Sequence, residues 1–126
     1  MAEKRKILII DDDPQVHKML EAVLTAKNCD VVSLTEALPA VKKIQSFKPD
    51  LIILDIMMPD LSGIELCQKI RSEPSIEKTM ILMLSAKDTQ SDRLKGLQYG
   101  ADDYATKPFH VSTLVNKIEH MLSKGK

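Results

Sequence analysis

Four stretches of this sequence carry residue types suited to phosphoryl chemistry, and each follows an apolar run. Asp11-Asp12-Asp13 comes directly after Ile7-Leu8-Ile9-Ile10, and Asp55 closes Leu51-Ile52-Ile53-Leu54. Ser85 closes Met80 to Leu84, and Lys107-Pro108 follows Asp103 to Thr106. Carboxylates brought together repel, and some stay protonated unless a cation intervenes. A hard divalent cation with oxygen ligands resolves that conflict, and magnesium usually takes one or two carboxylates plus phosphate. Asp12 and Asp55 fit as direct ligands, Asp11 acts through water, and the backbone carbonyl of Met57 completes the protein's share. Lys107 then supplies a fixed positive charge opposite the metal, and Ser85 a hydroxyl donor. Metal, ammonium and hydroxyl together make an electrostatic clamp for a phosphoryl group. Asp55 is the carboxylate nucleophile that would receive it.

The elements that must position these groups are legible as short apolar runs alternating with amphipathic stretches, five times over. The runs are Lys6 to Ile10, Asp30 to Leu34, Leu51 to Leu54, Met80 to Leu84 and Asp103 to Thr106. They are continuous rather than alternating, which marks strands covered on both faces and hence a parallel sheet. Between them lie helical stripes. Asp13 is a cap and Pro14 suits the first turn ahead of Val16, Met19, Leu20, Val23 and Leu24. Val41, Ile44 and Phe47 follow Pro39, with the first full turn at or after that proline. Asp60 to Gly63 makes a turn, and Ser62-Gly63-Ile64-Glu65 has capping-box spacing ahead of Ile64, Cys67 and Ile70. The fourth stripe is the least apolar: Thr89 and Asp92 have capping spacing, and Leu94 and Leu97 are its anchors. The last carries Val111, Leu114, Val115, Ile118 and Leu122. Right-handed crossovers then give a three-layer α/β domain, a single unit over 1–126. In such sheets ligands sit outside the carboxyl ends of the strands, the edge where all four groups fall.

Composition narrows the function classes. The 126 residues suit one domain, and acidic and basic residues balance at eighteen each. No electrostatic footprint for nucleic acid or an anionic membrane shows over the chain. With two Phe, two Tyr and no Trp, a base-stacking surface is disfavoured. Cys29 and Cys67 form no CxxC and read as small apolar residues in a reducing compartment. No run approaches the ~18 apolar residues of a membrane span, and Ile7 to Ile10 is too short for a signal peptide. A cytoplasmic protein is expected. His17, His110 and His120 are scattered, none is assigned to metal, and His17 and His120 are placed on helix surfaces.

Four segments, in order and at strand ends, carry a family likeness: Ile7 to Pro14, Leu54 to Gly63, Leu84 to Lys87, and Gly100 to Phe109. Over nearly its full length the chain resembles bacterial response-regulator receiver domains. The resemblance implies a (βα)5 flavodoxin-like fold with strand order 2-1-3-4-5. It also implies phosphotransfer to Asp55 from a sensor histidine kinase or a histidine phosphotransfer protein, with Mg2+ as cofactor and Mn2+ as a substitute. Asp11 and Asp12 match the family's acidic pair, Ser85 the switch hydroxyl, and Lys107 its lysine. The backbone of Ala86 joins the phosphoryl-binding set, and the bond before Pro108 is expected to be cis. Tyr104 matches the switch aromatic, with a plain core aromatic as the competing reading. Met57 and Lys87 flank the path of the water that removes the phosphoryl group and would tune its lifetime. Output is expected through the fourth helix, fifth strand and fifth helix to a downstream protein or effector domain, without direct contact to nucleic acid or membrane. Arg93, Lys117, Asp102 and Asp103 make a homodimer through that face one reading, with Asp102 and Asp103 as merely solvated charges the other.

Two other classes compete. Haloacid-dehalogenase-like phosphatases also place a nucleophilic aspartate after an apolar strand, but carry a second aspartate two residues later, where this chain has Met57. A pseudo-receiver would lack the acidic pair or the lysine, and this chain keeps both. A receiver catalyses only its own phosphotransfer and slow dephosphorylation, so the chain is not expected to be a turnover enzyme.

Overall fold

The computed structural model describes residues 4–85, 100–107 and 109–124, with the side chain of Ser85 excluded. The fourth helical stripe, Ala86, Lys87 and Arg93 among it, and Pro108 with its expected cis bond lie outside the described residues. The elements run β1 (Arg5–Ile10), α1 (Pro14–Ala26), β2 (Cys29–Leu34), α2 (Ala40–Phe47), β3 (Leu51–Asp55), α3 (Gly63–Ser72), β4 (Met80–Ser85), β5 (Asp103–Thr106) and α4 (Val111–Lys124). All strand pairs are parallel and the sheet order is β2-β1-β3-β4-β5, as the resemblance implies.

The continuous apolar runs have a direct cause. Successive side chains of a strand point to opposite faces, and here both faces are covered. Leu8, Ile10, Ile52, Leu54, Ile81 and Met83 pack on one side with Ala40 and Ile44 of α2 and Leu66, Cys67 and Ile70 of α3. Ile7, Ile9, Leu51, Ile53, Leu82 and Leu84 pack on the other with Val16, Leu20 and Leu24 of α1 and Leu114, Ile118 and Met121 of α4. No position of β1, β3 or β4 in these two sets can be polar without burying an unpaired group.

Local chemistry starts α1 and α3 where the sequence says. The Asp13 carboxylate accepts the Gln15 amide at 2.9 Å, with Pro14 at the first helical position. Pro39 stands at the N-cap of α2. The Ser62 hydroxyl accepts the Glu65 amide at 3.1 Å. On α3 the buried set is Gly63, Leu66, Cys67 and Ile70, while Ile64 is half-buried. Leu66 therefore takes the inner position that the stripe reading gives to Ile64. Burial pushes the Cys67 thiol up to about 11, consistent with an apolar role.

Gly63 is fixed by a close approach. A Cβ there would lie 2.3 Å from the Asp55 carbonyl oxygen and 2.8 Å from the Ile56 Cα. Its amide also donates to the Ile56 carbonyl at 2.7 Å. Gly63→Ala must displace the backbone next to Asp55. The expected cost is about 2–3 kcal/mol in urea unfolding, and a loss under 0.5 kcal/mol would show that the turn yields freely.

Candidate functional site

Sheet topology makes the crevice. From β1 the chain goes to β2 on one side, and β3 then pairs with β1 on the other. The order therefore reverses between β1 and β3, and the crevice opens at their carboxyl ends. Ile10 pairs with Leu54 in register, so Asp11 and Asp55 leave adjacent strands at the same level.

Asp11 is fully buried and held at every polar group. Its amide donates to Leu34 O at 3.1 Å, its Oδ1 accepts the Asp13 amide at 2.9 Å, and its Oδ2 accepts Lys107 Nζ at 2.7 Å. Asp55 is 4% exposed; its Oδ1 accepts the Met57 amide at 3.1 Å, and its Oδ2 is 3.5 Å from Lys107 Nζ. Asp12 is exposed. Ligand atoms of Asp11, Asp12 and Asp55 all lie within 4.8 Å of one another. Lys107 sits between Asp11 and Asp55, closer to Asp11, so it bridges the two buried carboxylates rather than facing Asp55 alone.

The charges decide what this arrangement can hold. Burial, then the neighbouring Asp11, push the Asp55 carboxyl up to about 6 against the pull of Lys107 and the Met57 amide. Burial works against the Lys107 ammonium, but its hydrogen bond to Asp11 and the charges of Asp11 and Asp55 outweigh that and leave its pKa raised. With all groups ionised, three carboxylates face one ammonium. The surplus is negative, the donors are oxygens, and one of the three is open to solvent. That donor set fits a hard divalent cation and not a soft one.

The other expected site residues are placed as follows. Met57 contributes its amide to Asp55 while its side chain is exposed; Met58 is buried in the core. Tyr104 is 4% exposed and belongs to the core cluster on the α2–α3 side. It also lines a cavity of about 260 Å³ with Phe109, His110 and Leu114. Ser85 ends β4 beside Thr106 of β5.

Three features were not foreseen. His17, expected on a helix surface, is 6% exposed, and its Nε2 meets the Asp11 carbonyl oxygen. Val16, Leu20 and Leu24 mark the inner stripe, and position 17 lies three before Leu20 and seven before Leu24, so helical spacing carried the signal. Asp60 is more than a turn residue. Its carboxylate accepts the Ala37 amide at 3.0 Å and the Leu38 amide at 2.8 Å. These bonds hold its carboxyl below the usual range and tie the loop after β2 to the loop after β3. Asp102 and Asp103 pair within the chain, with Arg71 at 2.9 Å and Lys117 at 3.3 Å, so neither is a merely solvated charge.

The family model for the response regulator receiver domain matches residues 7–119. The chain is 39% identical over 121 residues to the alkaline phosphatase synthesis transcriptional regulatory protein PhoP of Bacillus subtilis, covering 96% of this chain and 50% of that protein. It thus spans about half the length of the curated relatives it matches. A putative response regulator from Chloroflexus aurantiacus superposes with a TM-score of 0.90 at 34% identity, over 96% of this chain and 99% of that one. The BeF3-activated receiver domain of Klebsiella pneumoniae RstA does so with 0.87 at 31% identity, over 94% and 98%. Fold, site edge and sequence agree, and the chain belongs to the response regulator receiver domain family.

Proposed function

We propose that Asp55 accepts a phosphoryl group from a phosphohistidine of a sensor kinase or phosphotransfer protein, and that these 126 residues act as a single switching domain. One observation supports this above the others. A buried carboxylate at a strand end is flanked within one site by Asp11, Asp12 and the Lys107 ammonium. An Asp55 carboxylate oxygen attacks phosphorus, an acyl phosphate forms, and the P–N bond breaks with its electron pair leaving on the imidazole. Asp55 must be ionised to attack, and a pKa of about 6 leaves it mostly so at neutral pH. Met57 N–H holds Oδ1 and so presents Oδ2 on the side of Lys107. Lys107 then offers its charge to the incoming phosphoryl oxygens.

Asp12, Asp55 and the Met57 carbonyl would hold Mg2+, with Asp11 acting through water and Mn2+ a substitute. The metal would supply charge neutralisation for phosphoryl oxygens. Ser85 and the Ala86 amide complete the phosphoryl cradle in this reading. Tyr104 and the surface of β5, α4 and the fourth helical stripe pass the change to a protein partner or effector domain, with no direct nucleic-acid contact by these residues. The relatives are about twice as long, and transcriptional output would reside in such an additional part. No helix among the described residues is long and apolar enough to cross a membrane, and we place the protein in the cytoplasm with its kinase's catalytic portion.

Incubation with acetyl phosphate and Mg2+, followed by intact mass, tests the reading. One phosphoryl group should be gained, and chelation should block it; no gain with metal present overturns it. Slow self-dephosphorylation, rather than turnover of small esters, should be the sole hydrolytic activity, since Met57 stands where a phosphatase of the haloacid-dehalogenase type needs a second aspartate.

Lifetime of the phosphoryl group gives a second expectation. The exposed Met57 side chain cannot hydrogen-bond an attacking water. Met57→Asn should shorten the half-life of the phosphorylated protein several-fold, read as decay of the mass adduct. An unchanged half-life would remove Met57 from the path of that water. Lys87 holds the matching position after Ser85 in the same reading.

A further inference from the structure

His17 is not among the groups that the phosphotransfer reading uses, yet it touches the metal-facing loop. Its Nε2 lies against the backbone carbonyl oxygen of Asp11, six residues earlier, in a buried setting. A carbonyl oxygen only accepts, so Nε2 carries the proton and donates. The other ring nitrogen, Nδ1, is buried and without a hydrogen-bond partner among the described residues. The first observation sets the proton on Nε2, and the second leaves a buried polar atom unpaired. They also show that the ring is retained at some cost, because a leucine would fill such a site without a bare nitrogen. What the ring gains is one bond, to the peptide that joins Asp11 to Asp12.

That peptide is the pivot of the acidic pair. The Asp11 amide is already fixed to Leu34 O and its side chain to Asp13 N and Lys107. Rotation of the Asp11–Asp12 peptide is the remaining freedom, and it would swing the exposed Asp12 carboxylate away from Asp55. We propose that His17 is a positioning residue for the divalent cation: its Nε2–H clamps the Asp11 carbonyl and so sets where Asp12 presents its oxygens. Partners that orient metal ligands typically account for about 10–100-fold in affinity. This inference rests on the metal reading of the site given above.

The test is Mn2+ affinity by titration calorimetry, with thermal unfolding in chelator as the second readout. His17→Leu removes the donor and the bare nitrogen together. It should bind Mn2+ about 10-fold more weakly, with its metal-free midpoint within a few degrees of the parent. His17→Gln places a side-chain N–H at similar reach and should restore most of the affinity. Parental affinity in His17→Leu overturns the proposal. So does equal weakness in His17→Gln, because the loss then follows ring packing and not the donated bond. If His17→Leu does not fold, His17→Met, also without a donor, takes its place under the same criteria. A parent that binds no Mn2+ would overturn the metal reading itself, an outcome separate from any difference among the variants.

Discussion

Asp55→Asn should gain no mass from acetyl phosphate and, at pH 7.5, should be more stable than the parent. The first half follows from the proposed role of Asp55 as the attacking carboxylate. The second follows from linkage. Asp55 has a folded pKa of about 6 against an ordinary value of 3.8, raised by burial and by Asp11. A raised carboxyl holds its proton more tightly when folded. Its stabilising contribution is therefore complete below pH about 4 and lost as pH rises through about 6. At pH 7.5 the ionised carboxylate costs the fold on the order of 2–3 kcal/mol relative to a group that cannot ionise. Asparagine keeps an oxygen for the Met57 amide, and Lys107 keeps Asp11. Roughly 1–2 kcal/mol of net gain should appear in urea unfolding at pH 7.5 and shrink towards zero at pH 4.5. Saturating Mg2+ should narrow the gap at pH 7.5, because a ligand of the folded parent stabilises it by mass action. A variant that is less stable than the parent at pH 7.5 would show that Lys107 and Met57 outweigh burial at this position.

Arg71→Ala should be the most destabilising single change outside the core, at about 3 kcal/mol. Its guanidinium donates to Gly100 O at 2.8 Å, to Glu77 O at 2.7 Å and to Thr79 O at 2.6 Å, and pairs with Asp102. Three backbone carbonyls near β4 and β5 thus depend on one side chain at the end of α3. The ion pair alone is worth little, since Asp102 is partly exposed and such pairs contribute up to about 1 kcal/mol. Most of the loss comes from carbonyls left without a donor. Gly100 belongs to the same lock: its φ is +114°, and a Cβ there would lie 2.7 Å from Arg71 Cγ. Arg71→Lys should recover less than half, because one ammonium cannot match a planar fork of donors. Urea unfolding with tryptophan-free detection by circular dichroism measures both. A loss below 1 kcal/mol for Arg71→Ala would mean that water replaces the guanidinium without penalty.

Arg71 also shows where sequence reading stops. Its partners are 6 to 31 positions away, and nothing local announces them. The strands were legible because both faces of β1, β3 and β4 are buried, which writes burial into unbroken runs such as Leu51 to Leu54. Helix starts were legible because Asp13 and Ser62 act on amides two and three residues ahead. The grouping of Asp11, Asp12, Asp55 and Lys107 was legible because each sits at a strand end, and a parallel sheet gathers such ends on one edge. Position along a strand does not reveal which partner is nearer, so the closer approach of Lys107 to Asp11 emerged only in three dimensions. His17 departs from its expected surface position for a different reason: its ring is polar, yet its spacing from Leu20 and Leu24 puts it on the inner side of α1.

The bridge from Lys107 to Asp11 joins positions 96 apart in the chain. Closing so long a loop is entropically costly, and contacts of this separation slow folding. Asp11, Asp12 and Asp55 can assemble once β1 and β3 pair, but the ammonium arrives only when β5 has docked on β4. A half-folded molecule thus has the three carboxylates without their ammonium partner. On the proposed role of Asp55, competence to receive a phosphoryl group would then act as a form of quality control, in which a kinase would find a responsive acceptor only on molecules that have finished folding.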